Sequence, residues 1–523
     1  MKSATGFPKS LIVVVTLLFL PPVAKSDWVN TTGAETAANL VEMHLSEEGL
    51  RVFFEISPPD AASFVVDEVL QFEVAADSVA IAPVILAAAI RPPVDRTSLY
   101  TANGRRSLKS DSTAVSSDSG VVYLEVGFPF EEPPARIRIK PPANKEGMAL
   151  SVIGFTAFHD GLPVTDMRFM STELTLQPDW ADPWQTRFKN TRLTRYFQTA
   201  QRSYLYIEPR NVRHDMLLRT VDVMAQIGMP LLPELDADAQ QRLRLEASEY
   251  FKSVNPVTID DALSGRSTHR LEFLAITPAG LRVLQPTEPV NPLTTYVGVS
   301  EAHWQSSLPG SVVIHWQLFD AKNDQLWTNM TDPAGPFPVL ITSESPNIEW
   351  RNFLKNYSDP EVAPVEVAPV DYLSAESLLF WFTGVPDQER AVSVTQRLLV
   401  NTKFAFLNRN EDVLRQKLAL LATDAEVLQV PLSKCFALPT LGGGIADVVS
   451  IDELSVTDIK AIESDAGDGF RALVSWRSPV SGQHWGHVDK RVLQYRALVD
   501  IVETDGSWQL AGFTPMEIRE LVD

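Results

Sequence analysis

From about Asp27 to Leu176 apolar and polar positions alternate with period two, the spacing of strands that bury one face. Leu40 to Leu45 and Leu50 to Ile56, joined across Ser46-Glu47-Glu48-Gly49, predict a hairpin, and Val121 to Phe128 and Arg136 to Lys140 predict further strands. Leu150 to Phe158 runs into Asp160-Gly161, a dipeptide that accepts positive φ with little strain, so Val164 to Leu176 is predicted to return beside it. No long amphipathic helix interrupts these segments. Residues 27–185 are therefore expected to form an antiparallel β-sandwich-like domain, with Thr97 to Gly120, rich in Ser, Asp and Arg, as a surface loop.

Residues 186–355 predict a second β-rich domain with one flanking helix. Asp236 to Ser253 sets Leu243, Leu245, Tyr250 and Phe251 among charged residues with no interior Gly or Pro, and Asp236 and Asp238 favour its N-terminus. Tyr204 to Ile207, Met216 to Val221, Arg270 to Ile276, Thr295 to Val299 and Ser311 to Phe319 predict strands. The segment Asp332-Pro333-Ala334-Gly335-Pro336-Phe337-Pro338 is expected to end the ladder, because proline has no backbone donor. Residues 356–371 hold a small repeat, Glu361-Val362-Ala363-Pro364-Val365 and Glu366-Val367-Ala368-Pro369-Val370, whose proline spacing predicts an extended, semi-rigid linker. The aromatic stretch Leu378 to Phe382 after it predicts an anchor for the last domain.

The last region, residues 372–523, has a different order. Val394, Leu398, Leu399 and Phe404 to Leu407 give one helix an apolar face, and a second is predicted near Asp412 to Ala422. Strands follow at Leu454 to Ile462, Arg471 to Arg477, Val492 to Val502 and Trp508 to Phe513, with Thr504-Asp505-Gly506-Ser507 turning the last hairpin. Helices followed by a curved antiparallel sheet ending in Asp505-Gly506-Ser507-Trp508-Gln509-Leu510 resemble the nuclear-transport-factor-like (SnoaL-like) α+β cone. That resemblance implies a sheet wrapped round a helix, with any ligand pocket inside the curve. Together with Phe155 to Val164, Asp179 to Trp184, Tyr206 to His214 and His484 to His487, the arrangement is also similar to exported bacterial proteins of no established function. The fold class expected is multidomain and β-rich, with two antiparallel sandwich-like domains and a C-terminal α+β cone.

The first 26 residues change the picture of location. Lys2 and Lys9 precede an unbroken apolar run, Leu11 to Leu20, and Ala24-Lys25-Ser26 supplies small residues for cleavage before Asp27. A run of about ten residues is half of what a bilayer span needs, so it reads as a secretory signal and predicts a periplasmic or secreted protein with no integral membrane segment. Removing Lys2, Lys9 and Lys25 with no acid takes the net charge from −21 to −24, which repels nucleic acid and anionic lipid surfaces. Cys435 is the only cysteine, so no intrachain disulfide forms.

Chemistry has few candidates. His484, Trp485, His487, Asp489 and Arg491 crowd one turn, where two imidazoles and a carboxylate suit a ligand contact at the mouth of the cone; a third protein ligand for zinc is not identifiable, and packing of Trp485 against a sheet is the alternative. Trp180 and Trp184 among Asp179 and Asp182 suit a sugar platform or an interdomain anchor. Glu208, Arg210, Arg213, His214 and Asp215 suit an anion site or an internal ion-pair network. Gly442-Gly443-Gly444 lacks the Lys and Ser or Thr of a phosphate loop and reads as a connection; Asn30, Asn329 and Asn356 lie in glycosylation sequons. No nucleophile elbow, metalloprotease helix or nucleotide fingerprint is present, and no cofactor is implied. The expected role is a noncatalytic binding or assembly module with a protein or small-molecule partner and a homodimer through the C-terminal sheet face; the alternative is an enzyme or small-ligand binder using the cone.

Overall fold

A computed structural model describes residues 33–93, 120–195, 199–265, 268–277, 280–305, 307–321, 323–355, 357–358, 360–367, 386–440 and 445–521, with the side chains of Thr268, His269, His487 and Asp489 excluded. The leader, most of the Thr97 to Gly120 segment, Leu378 to Phe382 and Gly442 to Gly444 lie outside the described residues. The chain is β-rich and multidomain, and its buried apolar side chains gather mainly in three clusters that follow one another along the sequence. The first runs from Val41 to Leu193 and so takes in Phe188 and Leu193, past the boundary expected at residue 185.

In the first unit, Asn39–Ser46 and Gly49–Ile56 form the expected hairpin at the centre of a seven-stranded sheet whose free edge is Val84–Arg91. A five-stranded sheet built on Glu73–Ala76, Ile137–Lys140 and Leu174–Gln177 supplies Val74, Ile137, Ile139 and Leu176 to the same cluster. One pair departs from an all-antiparallel arrangement: Asn39–Ser46 runs parallel to Ile153–His159. The long return from Val164 is also absent. Of the residues after Asp160, only Leu162–Pro163 and Arg168–Phe169 pair with Ile153–His159 among the described residues, and Leu174–Gln177 crosses to the smaller sheet. Crossing lets Leu174 and Leu176 face the cluster from the opposite side.

The middle unit is organised on a seven-stranded sheet ordered Gly280–Val283, Thr268–Thr277, Thr295–Trp304, Asn211–Arg219, Gln201–Glu208, Gln325–Asp332, Gly335–Thr342. One face carries Leu205, Ile207, Val212, Met216, Val297 and Val299, covered by helix Ala237–Phe251 and a four-stranded sheet. That helix starts where the sequence places it, since Asp236 accepts the Ala239 N–H at 2.9 Å. Two expectations fail here. The strand foreseen from Met216 ends at Arg219 and continues as a short helix, Thr220–Gln226, whose Val223 and Met224 are buried. The prolines do not end the ladder either: Pro336 pairs with Thr331 and Pro338 with Asn329. Gly335–Thr342 is an edge strand, and prolines two apart turn both missing donors to the unpaired side.

In the C-terminal unit three helices, Gln388–Phe406, Glu411–Leu418 and Ala425–Phe436, lie against a sheet built on Asp452–Ser464, Gly467–His484, His487–Thr504 and Ser507–Leu521. The third helix has no counterpart in the expectations, and Pro431 inside it hides its periodicity. Asp424 caps it by accepting the Val427 N–H at 3.0 Å. The proline-spaced linker is not free of the core: Val365 and Glu366 pair with Trp508 and Ser507, and Val365 is fully buried. Between helices and sheet the rings of Phe406, Phe436, Trp476 and Tyr495 stack in series at centroid spacings of 5.8, 6.5 and 4.9 Å. This ladder runs through the buried cluster of the unit. Trp476→Ala is therefore expected to cost about 3–5 kcal/mol, read from the denaturant midpoint, without altering the first unit.

Candidate functional site

The strands Gly467–His484 and His487–Thr504 stay in register until His484 faces His487, and Trp485 and Gly486 turn between them with φ of 47° and 81°. Two successive positive φ values give the tight turn that matches the twist of a hairpin; Gly486 adopts it freely, whereas Trp485 pays in backbone strain. Something must hold it there. The tip is driven into the second face of the middle sheet, where Trp485 is completely buried among Tyr204, Tyr206, Leu217, Leu274 and Tyr296. Gly298 on Thr295–Trp304 leaves the room, since a Cβ there would lie 2.8 Å from the indole. A methyl on Gly486 would collide with the Tyr204 ring.

The turn's backbone donors, which lose water on insertion, meet acceptors from the middle sheet. Trp485 N–H donates to Asp215 Oδ2 at 3.1 Å, Gly486 N–H donates to Tyr206 Oη at 2.8 Å, and Arg213 donates to the carbonyl of Gln483. Asp215, fully buried, also accepts the Ser300 hydroxyl at 2.6 Å and faces Arg213 Nε at 3.4 Å. Arg213 lies over the Tyr206 ring at 4.3 Å and Arg270 over the Trp485 ring at 5.4 Å. Burial alone would lower the Arg213 pKa, but the fields of Asp215 and Glu208 outweigh it and hold the guanidinium above its ordinary range. Burial, reinforced by Asp215, raises the Tyr206 phenol well above its usual value, so it stays a neutral acceptor for Gly486.

The rest of that face is covered from the first unit. Trp184 is buried on Tyr296 at 5.0 Å, donates Nε1–H to the Leu293 carbonyl at 2.7 Å, and lies beside Leu162 in the same cluster. Arg219 holds Asp182 at 2.9 Å. Trp180, by contrast, stays in its own unit, donating to the Pro134 carbonyl at 2.9 Å. Trp184 and Trp485 thus meet in one apolar cluster to which all three units contribute. Of the alternatives posed for these tryptophans, the interdomain anchor describes Trp184 and the packing of an indole on a sheet describes Trp485. Arg213 and Asp215 form the internal ion pair.

The candidate residues divide accordingly. His484 is buried at the root of the turn, and Arg491 points back into its own unit, donating to the Pro439 carbonyl at 3.3 Å. The backbone places His487 opposite His484 and Asp489 opposite Gly482, while both side chains lie outside the described residues. Among the described residues no group of three His, Cys, Asp or Glu is placed to hold a metal ion, and no helix is long and apolar enough to cross a membrane. Burial pushes the Cys435 thiol up to about 12, so it is not a thiolate at neutral pH. Gly298 and Tyr206 are the partners that sequence reasoning missed. The one available signal was a glycine inside the apolar strand Thr295–Trp304, a sign of close approach by another group. No protein-family model matches this chain, and no curated protein is significantly similar to it in sequence.

Two outcomes follow. Trp485→Ala is expected to cost about 3–5 kcal/mol and to split denaturant unfolding into two transitions, the C-terminal unit separating first; a single transition at the wild-type midpoint would exclude the anchor. Asp447, ion-paired to Arg409 beside this seam, has its pKa raised to about 6 by burial, with Glu208 adding to the rise and Arg409 opposing it. A raised carboxyl stabilises most below its unfolded pKa and loses that contribution as pH rises through the folded value. The stability of Asp447→Asn relative to wild type should therefore grow between pH 4 and 7, roughly along the titration. With 39% of the side chain exposed, solvent screens part of this effect. Paired melting curves at several pH values measure it.

Proposed function

We propose that the chain is an exported, soluble, noncatalytic binding or assembly protein, two β-sandwich-like modules followed by a nuclear-transport-factor-like (SnoaL-like) cone. The observation that carries the reading is the use to which the polar groups near the conspicuous turn are put: Asp215, Tyr206 and Arg213 are occupied by the backbone of the hairpin tip. Groups engaged in holding three modules together are not available for turnover. The leader and the strongly acidic composition support a periplasmic or secreted location and a partner other than nucleic acid. The order of helices followed by antiparallel strands supports the cone, and exposed Met516 and Ile518 on its last strand support a homodimer there, against which a monomeric mass by light scattering would count.

A second reading, an enzyme or small-ligand binder using the cone, draws on one observation. Tyr495 Oη is buried at the end of the aromatic ladder with no hydrogen-bond partner among the described residues, a hydroxyl open to a ligand's polar group. Crosslinking in the native compartment separates the two. A stoichiometric protein adduct that persists in Tyr495→Phe and His484→Gln supports assembly. A chain that yields no adduct but copurifies with a small molecule lost in Tyr495→Phe overturns it.

A further inference from the structure

The seven-stranded sheet of the first unit ends in an edge that natural proteins rarely leave bare. Val84–Arg91 reads Val-Ile-Leu-Ala-Ala-Ala-Ile-Arg, bounded by Pro83 and by Pro92-Pro93, and among the described residues pairs on one side only, with Val121–Pro129. Val84, Ile85, Leu86 and Ile90 are 48%, 59%, 47% and 53% exposed. Edge strands are normally blunted by an inward charge, a lysine, a proline or a bulge; here the prolines stand only at the ends, and between them no charge precedes Arg91. Its single irregularity, a bulge between Ile85 and Ala87, places Leu86 over Gly127 on the neighbouring strand.

That bulge forms one end of a trough of about 520 Å³ that crosses the outer face of the sheet. Val84 and Leu86 make its apolar end, Gly127 and Gly49 leave the floor without side chains, and Glu48 and Asp160 stand exposed on its rim. The arginine in its lining faces a carboxylate of its own, and the lining imidazole is hydrogen-bonded to another. Arg51 Nε lies 3.5 Å from Glu125, and His44, stacked on Phe158 at 4.7 Å, holds Glu42 at 2.5 Å. The trough is thus apolar at the edge strand and anionic beyond it.

We infer that this edge and trough together bind an extended peptide segment of a partner that alternates apolar and basic residues. The segment's backbone adds to Val84–Arg91, its apolar side chains cover Ile85 and Ile90, and a lysine or arginine reaches along the trough toward Glu48 and Asp160. Charge complementarity selects this occupant over a second copy. A chain of net charge −21 set edge to edge with itself would bring two acidic rims together. The inference rests on the noncatalytic binding role and gives it a surface and a chemistry.

The test uses the full mature chain and a short fluorescein-labelled peptide alternating valine and lysine, with its valine–glutamate counterpart as control, read by fluorescence anisotropy. The lysine peptide is expected to bind, more weakly as salt rises, and the glutamate peptide not to bind. Gly127→Val fills the trough in a backbone conformation open to any residue, with its Cβ at ordinary contact distance, 3.5 Å, from Leu86. It should weaken binding about tenfold or more, a loss of about 1.4 kcal/mol, while the melting temperature holds. Glu48→Gln with Asp160→Asn should weaken it comparably and flatten the salt dependence. Equal binding of both peptides, no binding, or indifference to Gly127→Val would overturn the inference, as would a dimer that Ile85→Asp dissociates. If the peptide fails while the crosslinked adduct survives Gly127→Val, the peptide site alone is refuted and the binding role stands.

Discussion

The structure depends on covering both faces of the middle sheet. Tyr204, Leu205, Tyr206 and Ile207 are buried in succession, so neighbouring residues need apolar cover on opposite sides. A strand that is apolar without alternation belongs to a sheet buried on both faces. The inner side is covered locally by helix Ala237–Phe251 and the small sheet. The other is left to residues that belong elsewhere in the chain, Trp184 from one neighbour and Trp485 from the other. Order among the three units follows from that division, because the middle one is finished only when the other two are in place.

Polar groups set how the covering is done. An indole alone would fit a flat aromatic face in several orientations; the two N–H donors of the turn, aimed at Asp215 and Tyr206, select one. A carboxylate this deeply buried is costly unless paired and hydrogen-bonded, and Arg213, Ser300 and the Trp485 N–H satisfy it together. Such a cluster contributes more to specifying geometry than to net stability.

Local chemistry was legible in the sequence where it acts over a few residues. The hairpin at Ser46 to Gly49, the capped helix after Asp236 and the turn at Asp505-Gly506 each follow from side chains within one turn of the feature they determine. What the sequence did not show depends on neighbours far along the chain. Pro336 and Pro338 fit their strand because none of the described residues pairs beyond it, Val365 is buried because Trp508 arrives beside it, and Leu174 joins a different sheet from the one its pattern suggests. The turn at Trp485 is the same case. Its residue types fit a packed indole and also allow a ligand contact, and the position of Gly298 and Asp215 decides how the turn is used.

The bond between Trp485 and Asp215 closes a loop of 270 residues. A nascent chain emerging from its N-terminus completes the middle sheet long before the hairpin that caps it has been made, leaving Tyr204, Tyr206 and Tyr296 wet in the interval. Maturation is therefore a race between delivery of the final segment and capture of that sticky surface by another molecule.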